Sequence, residues 1–176
     1  MDIQEKFNEA IKKNDIQLVK LLLNDKRVNP SYANNLAIIL ASQNGHIEIV
    51  KLLLEDKRVD PSDKNNWVIQ VASKNGYFEI VKLLLNDKRV NPSDEKNWAI
   101  QLASKYGYLN IVKLLLKDER VNPSDDENWA IQEAYGNGHF DIVNILWQDQ
   151  RVRNTLEKDK TDLYKKYIIQ NIIKDF

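Results

Sequence analysis

The sequence predicts an all-α solenoid of stacked helix pairs joined by short turns, and three observations carry that prediction. The chain matches itself at a shift of 31 residues, which puts Pro30, Pro61, Pro92 and Pro123 in phase, and with them Gly45, Gly76, Gly107 and Gly138. A unit that recurs at fixed length without insertions marks an array in which each unit buries its apolar face against its neighbours. Within a unit, two stretches of helical periodicity flank the Gly, a residue free to take the left-handed backbone that ends a helix. Each unit then closes on Asn-Pro-Ser or Asp-Pro-Ser. Pro excludes helix from the residue before it, and Asn, Asp and Ser favour turns. The clearest copy runs from Asp63 to Ser93.

Taken in order, Ile3, Phe7, Ala10 and Ile11 predict a first helix over residues 3–13, and Asn14-Asp15 offers an N-cap for a second through Leu23. Residues 1–28 are expected to form the N-terminal cap, because an end unit has one neighbour and keeps its other face polar. Repeats fill residues 29–152. Asn35, Asn66 and Asn97 are expected to cap the first helix of their units, the side-chain oxygen taking up a first-turn amide. In the clearest unit Ile69, Ala72 and Ser73 share a face whose small residues let a neighbouring helix come close. Past Gly76, Phe78, Val81, Leu84 and Leu85 form the wider apolar stripe of the second helix, with Lys82 outward. Val28, Val59, Val90, Val121 and Val152 recur just before the turn and are read as anchors that tuck it under the helices.

The last unit drifts. Glu133 stands where Val71 and Leu102 stand earlier, Gly136 loosens the first helix, and Trp147 replaces the last Leu of the leucine run. After Val152 the turn signature gives way to Arg153-Asn154-Thr155, so the repeat stops there. Residues 153–176 are expected to cap the stack, with Asp162 to Phe176 as one amphipathic helix. The whole chain, 1–176, is read as a single repeat domain.

Composition narrows the function classes. Lys plus Arg and Asp plus Glu each total 26, so no net field draws the chain to nucleic acid or an anionic membrane. The absence of Cys removes disulfides and Cys-containing zinc sites and fits a reducing compartment. The opening MDIQEKFNEAIKKND is charged and amphipathic, unlike a secretory signal, and no apolar run approaches the roughly 20 residues of a membrane helix. The expectation is a cytoplasmic, monomeric protein with no membrane or nucleic-acid partner, no cofactor and no metal.

The run Ala41-Ser42-Gln43-Asn44-Gly45-His46-Ile47-Glu48-Ile49-Val50-Lys51-Leu52-Leu53-Leu54 resembles the ankyrin repeat, and the resemblance extends to about Val152. It implies an ankyrin-type solenoid that binds proteins as a scaffold or adaptor. The units depart from the family pattern of about 33 residues with a Thr-Pro-Leu-His start. They carry Trp67-Val68-Ile69-Gln70, Trp98-Ala99-Ile100-Gln101 and Trp129-Ala130-Ile131-Gln132 instead, and their shorter length predicts blunted tips between units. The linker style is similar to that of divergent ankyrin proteins of giant viruses and protists, which would place a viral protein in the host-cell cytoplasm.

No convergent set of nucleophile, base and metal ligands is found, so no catalytic residue is assigned and an enzyme is not expected. His46 and His139 share an inter-helix slot with Tyr77 and Tyr108 and are read as structural. Gly136-Asn137-Gly138 follows no strand and is read as a helix end rather than a phosphate loop. Trp67, Trp98 and Trp129 recur in one slot, with Leu36 in the same place, and this favours packing between units over a role as interface anchors.

Recognition is sought where the units differ. Those positions are Lys64, Asn65, Glu95, Lys96, Asp126 and Glu127 at the turn tips, and Lys74, Asn75, Lys105, Tyr106, Tyr135 and Asn137 on the first helix. By similarity to ankyrin repeats they line a concave side, where a mixed polar groove with an acidic end would accept a protein or a basic or amphipathic peptide. The alternative is a spacer or self-assembly unit without a groove partner.

Overall fold

The computed structural model describes residues 2–159. These form eleven helices and no strand. Five pairs stack in chain order: α1 (Ile3–Lys12) with α2 (Ile16–Leu23), α3 (Tyr32–Gln43) with α4 (Ile47–Glu55), α5 (Asp63–Lys74) with α6 (Phe78–Asn86), α7 (Asp94–Lys105) with α8 (Leu109–Leu115), and α9 (Asp125–Gly136) with α10 (Phe140–Gln148). A final helix, α11 (Gln150–Asp159), follows α10 almost directly. The expected helix from Asp162 to Phe176 lies outside the described residues.

The core is one continuous column. Ile38, Ile69, Ile100 and Ile131 from the first helices meet Ile49, Ile80, Ile111 and Ile142 from the second, and all are buried. Each such side chain contributes about 1.5–3 kcal/mol when removed from water. Ala41, Ala72, Ala103 and Ala134 are buried on the faces where neighbouring first helices approach, as their size predicts. The second-helix stripe differs in detail from the expectation. Ile80 is buried beside Val81 and Leu84, whereas Phe78 and Leu85 are half-buried at its edges. The anchors Val28, Val59, Val90, Val121 and Val152 are all buried.

The first unit is closed by ordinary capping. Asp2 accepts from the Glu5 amide at 2.7 Å while the Glu5 carboxylate accepts from the Asp2 amide, a reciprocal capping box. Asp15 caps α2 through the Leu18 amide at 3.0 Å, as expected. The later units do something else. Within the opening turn of α3, α5, α7 and α9 three successive non-glycine residues take left-handed backbone, among them Lys64, Asn65 and Asn66 with φ of 51°, 57° and 58°. For L-residues this conformation costs roughly 1–2 kcal/mol each, so something must hold it.

Asn35, Asn66 and Asn97 do the holding, and this corrects their expected role as helix caps. Each is buried in left-handed backbone and reaches into the next unit. Its side-chain oxygen accepts from a linker amide, Asn66 from Asn91 at 2.7 Å and Asn97 from Asn122 at 2.8 Å, while its amide nitrogen donates to Asp63, Asp94 or Asp125. Gln70 and Gln101 pin the same turn by donating to the carbonyls of Asn65 and Lys96 at 2.7 and 2.8 Å.

A second ladder runs along the Asp-x-Arg-Val linkers. Arg89 forks onto Asp87 and also donates to the Val59 carbonyl of the preceding unit at 2.8 Å. Arg58, Arg120 and Arg151 repeat the clip on the carbonyls of Val28, Val90 and Val121. The Gly slots form a third contact. A Cβ on Gly45 would stand 2.6 Å from the Tyr77 ring of the next unit, so close approach as well as a φ of +75° excludes other residues.

At the end of the stack α11 replaces the next linker. Its own Val152 and Leu156 are buried in the core, so the array is covered by a helix that the sequence pattern had not predicted at 150–159.

Candidate functional site

Neighbouring first helices approach one another more closely than neighbouring second helices do, so the array bends with the first helices on its inner side. The twelve residues expected to bind a partner divide into two rows along that side. Lys64, Asn65, Glu95, Lys96, Asp126 and Glu127 occupy the left-handed tips and are all exposed. Lys74, Asn75, Lys105, Tyr106, Tyr135 and Asn137 cluster at the far ends of the first helices. The right-handed part of each first helix, residues 67–73 in α5, separates the rows by roughly 10 Å.

Several of these side chains already have partners. Lys96 donates to Asp126 at 2.8 Å, which raises its pKa, and Asn65 donates to Glu95, so the tips are tied unit to unit. Asn75 and Asn137 donate to the carbonyls of Val71 and Glu133 in their own helices, at 2.9 and 2.8 Å, and so close helix ends. Lys105 pairs with Glu133 at 3.0 Å and lies over the Trp129 ring at 5.2 Å from its centroid. Tyr135 meets Phe140 edge to face at 6.0 Å. That leaves Lys64 and Lys74 projecting, Glu127 at the acidic end and Tyr106 substantially exposed.

The tryptophans pack between units, as expected, and stay partly open. Trp67 and Trp98 are each 37% exposed and contact each other at 6.1 Å between centroids with planes tilted by 56°, while Trp129 is half-buried. They form a partly open aromatic row between the two rows of varied residues. They open the right-handed part of the first helix beside the varied tips, so a ring that packs on the next unit still keeps an edge in solvent.

His46 and His139 direct Nε2 to the carbonyls of Lys12 and Lys105 in the preceding units, at 3.3 and 3.1 Å, a tie between units that accords with a structural role. Among the described residues no group of His, Cys, Asp and Glu has the geometry to hold a metal ion, and no helix is long and apolar enough to cross a membrane.

A family model described as ankyrin repeats (3 copies) matches residues 7–94 and 69–158. No curated protein matches the chain. The matched span takes in five helix pairs, all but the first turn of α1, with a Gly after the first helix of the last four pairs and with aliphatic second helices, and the chain belongs to the ankyrin repeat family.

Proposed function

We infer that the chain is a protein-interaction scaffold whose recognition surface is the inner side of the bend. Ankyrin repeats are generally protein–protein interaction modules, and the family is typically non-enzymatic. The observation that carries the reading here is the open row of Trp67 and Trp98 on that side. Large aromatic side chains supply binding energy from few positions, and a row flanked by Lys64, Lys74, Tyr106 and the acidic tips combines apolar area with polar selection. Bonds between units hold this surface in place, so a partner meets a preformed shape and loses little free energy to ordering it. The protein acts as a monomer in the cytoplasm, and its partner is a protein or peptide.

Affinity capture from cell lysate tests the reading. Replacing Lys105, Tyr106 and Tyr135 together by Ala is expected to abolish capture of the principal partner while far-UV circular dichroism stays unchanged. Capture that survives this change would move the surface to the second helices. A self-associating species in light scattering, with no captured partner, would favour the assembly reading.

A further inference from the structure

The aromatic row is interrupted at one step. Trp67 and Trp98 touch, but Trp98 makes no such contact with Trp129, whose ring instead carries the Lys105 ammonium. Between Trp98 and Trp129 lies a pocket of about 380 Å³, lined also by Glu95, Lys96, Gln101 and Asp126. Its chemistry is one-sided. Two carboxylates face one ammonium, and that ammonium is engaged by Asp126 at 2.8 Å. Among the described residues Glu95 accepts only the neutral Asn65 amide, so its negative charge is not paired with a cation.

Gln101 adds an independent sign. It is 3% exposed, and its amide nitrogen donates to the Lys96 carbonyl, but its oxygen accepts no hydrogen bond from any described residue. That oxygen keeps some contact with solvent, so it is open to a donor that enters the pocket. The requirement is therefore a cation with several donors, no acceptor and a flat face to lie on indole. Guanidinium meets all of these, whereas an ammonium is a strongly hydrated point charge without a face.

We propose that the pocket between Trp98 and Trp129 binds the guanidinium of an arginine in a peptide segment of the partner. The guanidinium stacks on Trp98 and donates to Glu95, Asp126 and the Gln101 oxygen. The added positive charge pairs with Glu95, the lining carboxylate that has no cationic partner, and the flanking peptide follows the row towards Trp67. This rests on the inner-side reading and names the residue that the surface selects.

The test uses the full chain and the probe N-acetyl-Gly-Arg-Gly-amide at constant ionic strength, with the indole N–H signals followed by NMR. Saturable shifts are expected at Trp98 and Trp129, with half-saturation on the order of millimolar for so small a probe. The signals of Trp67 and Trp147 should move little. The citrulline and lysine analogues should bind more weakly than the arginine probe, by about fivefold or more. Free L-arginine should bind no tighter than the tripeptide, since the site is assigned to a peptide residue.

The pair Glu95→Gln with Asp126→Asn should weaken binding by about tenfold at unchanged helicity, and Trp98→Ala by about fivefold. The absence of saturable shifts, equal shifts at all four indoles, or equal binding of citrulline and arginine would overturn the assignment. Tighter binding of free arginine than of the tripeptide would overturn the peptide source. A silent tripeptide beside a partner still lost on changing Lys105, Tyr106 and Tyr135 would remove this pocket and leave the proposed function standing.

Discussion

Asn97 and Asn128 occupy nearly the same backbone, with φ of 64° and 62°, and both are buried. Asn97 is clamped from the next unit by Asn122 and Asp125, whereas both polar atoms of the Asn128 side chain are buried without a partner. The reason lies in the next linker. Asp stands 28 residues after Asn35, Asn66 and Asn97, but Leu156 stands at that spacing after Asn128. The two sites are matched controls. Asn97→Ala is expected to destabilise the protein by about 2–3 kcal/mol more than Asn128→Ala in urea unfolding, since the backbone penalty is shared and only the clamp differs. Equal losses would mean that Asn is kept for its tolerance of left-handed backbone alone.

At the scale of elements, the linkers hold the units together through charge. The Arg27 side chain, and then its backbone amide, hydrogen-bond Asp25 and hold its carboxyl down to about 2. Asp56, Asp87, Asp118 and Asp149 are likewise lowered, chiefly by side-chain hydrogen bonds from Arg58, Arg89, Arg120 and Arg151. A carboxyl whose pKa is lower folded than unfolded adds stability that is fully present above its unfolded pKa, about 3.9, and is lost as pH falls through the folded value. Stability should therefore be flat near neutral pH and fall below about pH 4. Arg89→Met should lower stability at pH 7 and flatten its dependence on pH below 4. An unchanged acid slope would show that the Asp87 clip is decorative. These pairs are partly exposed, so each contributes modestly and the ladder acts by repetition.

The helix pairs, the Gly ends and the valine anchors were legible because period and turn chemistry are written locally. The left-handed tips were not, because Asn is equally suited to a helix cap and to left-handed backbone, and the choice depends on partners 25 and 28 residues away. Helix α11 was hidden for a related reason. Its two buried residues, Val152 and Leu156, are too few to announce a helix, and Val152 carries the phase of the earlier linkers. Of the site, the varied rows were visible in the sequence. Recurrence marks Trp67 and Trp98 as packed between units, but it does not tell how much of each ring stays exposed.

At the scale of the molecule, recurring polar residues join neighbours and leave the inner side for recognition. Each unit contacts chiefly the units beside it, so the array behaves as a one-dimensional stack with a rigid inner wall. Amide hydrogen exchange of the chain with and without its captured partner tests the central claim most directly. The account predicts added protection at the tips and first helices α5, α7 and α9, with α4, α6, α8 and α10 unchanged. Protection confined to the second helices would contradict it.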